Sequence, residues 1–370
     1  MYNPQPRVGK AFRRVIGTAI YLAAVVVCFE LVARLALSSD AMSARVRSLN
    51  ADVAWRQRWL ERQESRPKLY YSFDVHHETR GWAVAPGVTG LRAWGGVVVN
   101  TSSRGLRGVR EFSYQKPLGT TRIVVLGDSF TFGDEVGDEQ TWSHQLSLLL
   151  PGVEVLNLGV HGYGHDQMLL YLQEEGVKYR PDIVLLGFLS DDMERNVLGF
   201  RDYAKPRFDL DAGKLKLRNV PIPSPEQTLR REFWRSKLLD VFSVIQTSYR
   251  WRSGRTPAFT RELTVALLDE IAKTARGIGA VPAFAYLPVY AEIDKPDMSM
   301  TYREQFFFDY CRDRGIQSMY LRHFFLPKVR AGVEFKTTGH WGPLEHATAA
   351  EGVAAYLLEK GLVDGLPAAD

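Results

Sequence analysis

The stretch Arg122-Ile-Val-Val-Leu-Gly-Asp-Ser-Phe-Thr-Phe-Gly133 decides the fold. Its apolar, β-branched run Ile123–Leu126 predicts a short buried strand, which Gly127-Asp128 ends. Ser129 follows where the chain should turn into a helix, so its hydroxyl and N–H lie at the rim of a sheet. The helix dipole favours negative charge at that point. This is how a nucleophile for acyl transfer is presented, although a serine there can also simply cap the helix.

Strands and helices alternate after this stretch. Four further apolar runs predict strands at Val153–Leu158, Ile183–Phe188, Val281–Leu287 and Ile316–Leu321. Periodic segments between and after them predict helices at Asp166–Glu175, Arg261–Gly277, Met300–Arg314 and Leu344–Lys360. Such alternation indicates a parallel sheet covered by helices on both faces, which binds ligands at the carboxyl ends of its strands. We expect this α/β domain to span residues 119–365, with an insertion at about 200–258 that contains a helix near Arg231–Tyr249.

The N-terminus has the pattern of a membrane anchor. Residues 1–14 carry four basic residues and no acid, and residues 15–37 are apolar except for Thr18, Glu30 and Arg34. As a helix, residues 15–37 would span about 34 Å, enough for a bilayer. Glu30 and Arg34 are four residues apart and are predicted to pair near the outer end. The basic residues place the N-terminus in the cytoplasm and the rest of the chain in the periplasm or outside the cell.

Two other interpretations of this segment remain open. A cleavable signal peptide would use Val15–Phe29 as its apolar core and Ala36-Leu37-Ser38 as its cleavage site. A buried helix of a soluble domain would have the same composition.

Two shorter regions separate this helix from the main domain. Residues 38–80 predict a juxtamembrane helical segment, rich in Arg, Gln and Glu, that lies on lipid headgroups or packs on its own domain. Residues 81–118 are rich in Gly, Pro, Val and Trp and predict a small β-rich lead-in.

Composition narrows the classes of partner. A net charge of +5 is spread along the 370 residues with no nucleic-acid motif, so we expect no nucleic-acid partner. The two cysteines, Cys28 and Cys311, lie far apart in apolar or helical segments, so a disulfide is not expected. Without clustered Cys and carboxylate ligands, no metal site is expected.

Four groups of residues that follow predicted strands can meet at one edge of the sheet. Ser129 is the candidate nucleophile. The glycine-rich run Asn157-Leu-Gly-Val-His-Gly-Tyr-Gly164 offers the Gly162 N–H as an oxyanion donor beside that of Ser129. Asp191 and Asp192 follow the third strand. His340, in the loop Thr337-Thr-Gly-His-Trp-Gly-Pro343, is the candidate base.

These blocks, in this order, resemble the SGNH (GDSL-type) hydrolases over roughly Gly81–Lys360. The lead-in Gly105-Leu-Arg-Gly108 is also usual in membrane-anchored bacterial members. The resemblance implies a three-layer α/β/α, flavodoxin-like sheet, here preceded by a transmembrane helix, and catalysis without a metal or organic cofactor. It implies that Ser129 attacks the acyl carbon, that His340 takes the serine proton, and that the Ser129 and Gly162 N–H groups hold the oxyanion.

Two positions depart from the family pattern. Asp191 stands where the family has an Asn that donates to the oxyanion, and a carboxylate there is repulsive unless it is protonated or turned away. Thr338 stands where the family has the Asp that orients the histidine, a group worth orders of magnitude in rate. A backbone carbonyl, which we favour, or Asp191 would then orient His340, while Asp191 and Asp192 could also shape the site structurally.

The function that these residues predict is a serine esterase that removes O-acyl groups, with O-acetyl as the expected group, from an envelope or exported polysaccharide. The alternatives are an O-acyltransferase acting on a sugar hydroxyl, and a catalytically silent carbohydrate-binding or assembly protein. His161, His165 and Trp341 are candidates to line the substrate pocket, or alternatively to be turn and packing residues.

Overall fold

The computed structural model describes residues 8–63, 68–295, 299–336 and 338–364. The N-terminal part is helical, with α1 (Val8–Leu37), α2 (Asp40–Leu49) and α3 (Ala51–Glu61). Within those ranges one helix, Ala11–Leu37, is long and apolar enough to cross a membrane. The predicted pair forms, with Arg34 Nε 2.7 Å from Glu30 Oε1. Residues 1–7 of the predicted cytoplasmic segment lie outside the described residues.

The segment after α1 packs on the domain. Trp59 of α3 is fully buried and contacts the rings of Phe200 (centroids 5.9 Å apart) and Tyr203 (5.3 Å). Asn50, between α2 and α3, caps α3, because its Oδ1 accepts a hydrogen bond from the N–H of Val53. The sequence predicted one helical segment here, and the structure divides it at this cap.

The lead-in consists of two antiparallel pairs and begins before residue 81, because its first strand lies at the end of the segment 38–80 that was predicted to be helical. Its strands are β1 (Asp74–His77), β2 (Gly81–Val84), β3 (Leu91–Ala93) and β4 (Val97–Val99), paired β1–β2 and β3–β4. Trp82 of β2 is buried, and its Nε1 donates to the carbonyl of His161 (3.1 Å). The lead-in therefore covers the loop that follows the second strand of the main sheet.

The first half of the main domain alternates strand and helix as predicted. Its elements are β5 (Thr121–Gly127), α4 (Ser129–Phe132), α5 (Trp142–Leu149), β6 (Val153–Gly159), α6 (His165–Glu174), β7 (Ile183–Phe188) and α7 (Asp192–Arg195). The strands β5, β6 and β7 are almost entirely buried, as expected for a sheet that is covered on both faces.

The region predicted as an insertion contains two hairpins and two helices. Its elements are β8 (Phe200–Arg201), β9 (Tyr203–Ala204), β10 (Arg207–Asp211), β11 (Lys214–Arg218), α8 (Pro225–Trp234) and α9 (Lys237–Arg252). The sequence predicted one helix near Arg231–Tyr249. The structure ends α8 at Trp234 and begins α9 at Lys237, with Arg235 and Ser236 extended between them.

The second half completes the sheet. Its elements are α10 (Arg255–Gly277), β12 (Val281–Tyr286), α11 (Tyr290–Ile293), α12 (Tyr302–Asp313), β13 (Gln317–Tyr320), α13 (Arg322–Arg330) and α14 (Pro343–Glu359). The five parallel strands have the order β13-β12-β7-β5-β6. Numbered along the chain this is 2-1-3-4-5, the flavodoxin-like order, which places a site where the order reverses beside the first strand. The predicted three-layer α/β/α fold is confirmed.

Candidate active site

Ser129 is held at the sharp turn between β5 and α4. Asp128 caps this helix, because its Oδ1 accepts the N–H of Phe130 (2.9 Å) and its carbonyl accepts that of Phe132 (2.8 Å). Ser129 is therefore the first helical residue and not the cap, so the capping alternative is wrong. Its N–H has no acceptor within the helix by position, and its hydroxyl is free for chemistry.

Two close backbone approaches seat this turn on the sheet. A Cβ on Gly127 would lie 2.1 Å from Thr131 Oγ1, and one on Gly159 would lie 2.4 Å from the backbone nitrogen of Phe132. Only glycine fits at either position. The α4 helix thus sits directly on the ends of β5 and β6, and Ser129 is fixed at the sheet edge.

His340 reaches the nucleophile from the loop before α14. Its Nε2 lies 2.9 Å from Ser129 Oγ, although the two residues are 211 positions apart. The ring of Phe130 lies against the imidazole, with centroids 5.3 Å apart. The hydrogen bond has the length that transfer of the serine proton to the imidazole requires.

Glu135 supplies a carboxylate on the other side of the imidazole. Its Oε1 lies 3.0 Å from His340 Nδ1, and its Oε2 accepts a hydrogen bond from Lys336 Nζ. Burial opposes the ionisation of Glu135, but the hydrogen bonds from Lys336 and His340 outweigh it and lower the pKa of this carboxyl. Glu135 is therefore ionised at neutral pH, and Ser129, His340 and Glu135 form the Ser–His–acid arrangement of a serine hydrolase.

This carboxylate corrects the prediction about the histidine. We expected a backbone carbonyl, or else Asp191, to orient His340 in place of the residue at Thr338, and the structure places Glu135 there. Two backbone features make room for it. Glu135 has φ of +69°, which is rare for a residue with a side chain, and a Cβ on Gly339 would lie only 3.2 Å from Glu135 Oε1. Thr338 is exposed.

Asp191 and Asp192 have different positions from those expected. Asp191 points to solvent, with its side chain 56% exposed and its Oδ1 2.8 Å from Arg303 Nη1. Asp192 is buried, and Arg195 Nη1 bridges its Oδ1 (2.5 Å) to Asp128 Oδ2 (2.8 Å). Asp191 thus turns away from the developing oxyanion, and Asp192 holds the end of β7 against the nucleophile turn.

Gly162 occupies a position that only glycine can adopt comfortably. Its φ is +75°, and a Cβ there would lie 2.6 Å from Asp202 Oδ2 and 2.8 Å from Arg201 Nη1. Arg201 and Asp202 form an ion pair, and burial lowers the pKa of the Arg201 guanidinium to about 9. The insertion therefore packs the Arg201–Asp202 ion pair directly against the Gly162 turn.

His161 lies in a buried network behind the site. Its Nε2 is 2.9 Å from Asp74 Oδ1, and its ring meets that of Tyr71 edge to face. The hydroxyl of Tyr71 donates to Asp134 Oδ2 (3.0 Å), and burial raises the pKa of Asp134 to about 6. The His161 side chain is thus walled off from substrate by the lead-in, contrary to its prediction as a pocket residue.

His165 and Trp341 are also packing residues. His165 is fully buried and stacks on Phe188 with centroids 4.9 Å apart, and burial lowers its pKa to about 3. Trp341 is buried, and its Nε1 donates to the carbonyl of Pro288 (3.2 Å). The packing alternative therefore describes both residues, since each is buried against core rings, His165 on Phe188 and Trp341 on Phe325.

In the described ranges, no group of three His, Cys, Asp or Glu residues is arranged so that it could bind a metal ion.

No protein-family profile and no curated protein sequence matches this chain.

Solved structures with a similar fold are described as lipolytic proteins and esterases. A member of the lipolytic protein G-D-S-L family from Veillonella parvula DSM 2008 is 13% identical, with 65% of this chain and 97% of that chain covered and a TM-score of 0.39. The psychrotrophic esterase EstA from Pseudoalteromonas sp. is 15% identical, with 65% and 98% covered and a TM-score of 0.37.

A third similar structure is a two-domain esterase active on acetylated mannans. It is 12% identical, with 67% of this chain and 52% of that chain covered and a TM-score of 0.39. Such low identities and scores do not establish a shared activity or substrate.

Proposed function

We propose that this protein is a serine esterase of the SGNH type, with Ser129 as nucleophile, His340 as general base and Glu135 as the orienting acid. The observation that carries the proposal is the continuous chain of hydrogen bonds from Ser129 Oγ through His340 to Glu135. Glu135 supplies a carboxylate in place of the one that Thr338 lacks, which removes one of the two reasons for expecting a silent protein; the replacement of the oxyanion Asn by Asp191 is the other.

The geometry supports an acyl-enzyme mechanism. With Nδ1 protonated and donating to Glu135, His340 Nε2 accepts the proton of Ser129 Oγ as that oxygen attacks the acyl carbon. The N–H groups of Ser129 and Gly162 stabilise the negative charge on the carbonyl oxygen. The imidazolium then protonates the leaving alcohol. A water molecule, deprotonated by His340, releases the acid and restores the serine.

The substrate class that we propose is a short O-acyl group, such as acetyl, on an envelope or exported polysaccharide. Two observations support it. Ser129 is only 5% exposed, so a short acyl group reaches it more easily than a bulky one. The domain follows a helix that can span a membrane, which would hold it close to surface polymers. An O-acyltransferase would use the same acyl-enzyme and a sugar hydroxyl in place of water.

Kinetics on a soluble acetyl ester test the chemistry. Ser129→Ala and His340→Ala should each lower kcat by at least about 10³-fold, because the two residues act as a unit. Ser253→Ala, in an exposed loop whose Oγ contacts only the carbonyl of Arg250, is the matched control and should keep the wild-type rate. Full activity in Ser129→Ala would rule out the serine mechanism. Adding an acetylatable sugar and measuring acetyl transfer against release of acetate separates transferase from esterase.

We also propose that α1 is retained as a single-pass anchor, with the catalytic domain periplasmic or extracellular. Glu30 and Arg34 of α1 make hydrogen bonds to the folded domain, to Ser236 Oγ (2.6 Å) and to the carbonyl of Arg235 (3.1 Å). Cleavage near Ser38 would discard both. A reporter fused after Asp370 should therefore be active outside the cytoplasm in a protein of uncleaved mass, and cytoplasmic activity would contradict the orientation.

A further inference from the structure

Helix α9 of the insertion has its polar and apolar faces reversed for a surface helix. Asp240, on the inner face, is almost fully buried and binds Arg56 (2.8 Å). Ser243 and Thr247 continue this face, where each hydroxyl lies 3.2 Å from Asn50 Nδ2. The polar side chains of α9 therefore point into the protein.

The opposite face of α9 is apolar and exposed. Its large side chains recur every three or four residues and are between 56% and 63% exposed: Leu239, Phe242, Ile245 and Tyr249. The end of α8 extends the same apolar character, with Phe233 73% and Trp234 82% exposed. A helix with such a stripe on its outer side is stable only if something apolar covers it.

Contacts with α1 place the start of α9 beside the C-terminal part of the apolar span. Glu30 caps α9, because its carboxylate accepts the N–H groups of Lys237 (3.0 Å) and Leu238 (3.2 Å) as well as the hydroxyl of Ser236. Glu30 lies seven residues before the end of α1, which corresponds to about 10 Å along the helix. Exposed apolar residues precede and follow Glu30 on α1, so α9 begins beside the last two turns of the apolar span.

The composition of the surface fits a bilayer interface. Exposed arginines precede and follow the stripe along the chain: Arg230, Arg231, Arg250, Arg252 and Arg255. Trp234, Tyr249 and Trp251 supply the amphipathic rings that concentrate at the boundary between lipid and water. Arginines at the edges with aromatic and aliphatic side chains between them are the pattern of a helix that lies in the interface.

We infer that α9, with the end of α8, is a second membrane contact: it lies in the outer leaflet beside α1, with Leu239, Phe242, Ile245 and Tyr249 buried among lipids. This inference concerns the attachment of the domain and does not depend on its chemistry. It rests on α1 remaining in the membrane. Two points of attachment, joined by the Glu30 cap, would fix the tilt and height of the domain above the bilayer, which a single flexible anchor cannot do.

Site-specific labelling of the full chain in lipid vesicles tests this contact. In a Cys28→Ser background, an environment-sensitive fluorophore is attached to Phe242→Cys or Ile245→Cys, while Cys311 is fully buried and stays unlabelled. Lys216→Cys, on the exposed hairpin β10–β11, is the matched control. A cooperative urea unfolding transition and uncleaved mass confirm that each variant is folded and retains α1.

The expected result is that nitroxide lipids quench the labels at positions 242 and 245 at least threefold more than the label at 216, and that aqueous iodide gives the reverse order. Equal access of iodide to all three labels in anchored, folded protein would overturn the inference. A second result would also overturn it: the labels are open to iodide in purified vesicles, but in native membranes they are protected and can be cross-linked to a protein. The stripe would then bind a protein and not lipid.

Discussion

Replacing Glu135 by Gln tests the orienting carboxylate. Lys336 donates to one carboxylate oxygen, and His340 faces the other. The side-chain amide of Gln has only one oxygen, so it can accept a hydrogen bond from Lys336 or from His340 but not from both. Its oxygen will turn to the charged Lys336, and its NH₂ group will turn to His340 Nδ1. The imidazole must then accept at Nδ1 and carry its proton on Nε2, where it can no longer take the proton of Ser129.

The expected size of this effect follows from that tautomer. The corresponding amide substitution in a Ser–His–Asp triad costs about 10⁴-fold in kcat. The Glu135 side chain is 30% exposed, so water can partly relieve the mismatch. We therefore expect a loss of about 10³-fold, or about 4 kcal/mol in the activation free energy, measured as kcat on a soluble acetyl ester.

The double variant Glu135→Gln/Lys336→Met tests whether the wrong histidine tautomer causes the loss of kcat, and not only how large that loss is. Without the lysine, the amide oxygen can face His340 Nδ1 and restore the active tautomer, so kcat should recover by about 10-fold or more over Glu135→Gln. Lys336→Met alone, in which the carboxylate stays, should lie within a few-fold of wild type. Wild-type activity in Glu135→Gln, or no recovery in the double variant, would refute the reasoning.

Three further changes have distinct expected results. Gly162→Ala should lower kcat by about 10²-fold, because the new Cβ would meet Asp202 and disturb an oxyanion donor; wild-type kinetics would exclude Gly162 from that role. Asp191→Asn should change kcat less than threefold, because Asp191 is exposed on Arg303, and a steep loss with the fold intact would restore it to the site. Burial raises the pKa of Asp134 to about 6, so the stability that its proton contributes is full below about pH 4 and is lost as pH rises through 6. Asp134→Asn should therefore be more stable than wild type by up to about 3 kcal/mol at pH 8, measured by urea unfolding in detergent, and an equal difference at pH 4 and pH 8 would contradict this pKa.

The positions of Ser129 and His340 could be predicted from the sequence, because local sequence patterns determine where each residue lies relative to its strand or helix. The run before Gly127 fixes both a buried strand and the place of Ser129, and the Gly-His-Trp loop before a helix marks His340. The parallel order of the sheet then brings the two residues together. No long-range information is needed beyond the alternation of strands and helices.

The partner of the imidazole could not be found in this way. The family pattern places that carboxylate before the histidine in the chain, whereas Glu135 comes from the loop after the nucleophile. Its left-handed φ and the close approach of Gly339 are properties of the folded backbone. The only sequence signal is an acid two residues beyond Gly133, which many surface turns share.

Burial by distant segments explains the other differences. His161 lies in a glycine-rich turn that looks exposed, and it is covered by Tyr71, which precedes β1, and by Trp82 of β2. The helical period of α9 is visible in the sequence, but which face meets the protein depends on Asn50 and Arg56 nearly 200 residues earlier. Periodicity shows that a helix has two faces, and only the tertiary contacts show which one is inside.

The most direct test of the proposed nucleophile is to map where an alkyl fluorophosphonate reacts with the full chain. The probe phosphonylates a serine only when a neighbouring base takes its proton, so mass spectrometry should find the adduct on the peptide that contains Ser129. The adduct should be lost in His340→Ala, although Ser129 is still present there. Esterase activity with the adduct on another serine, or with no adduct at Ser129, would contradict the account.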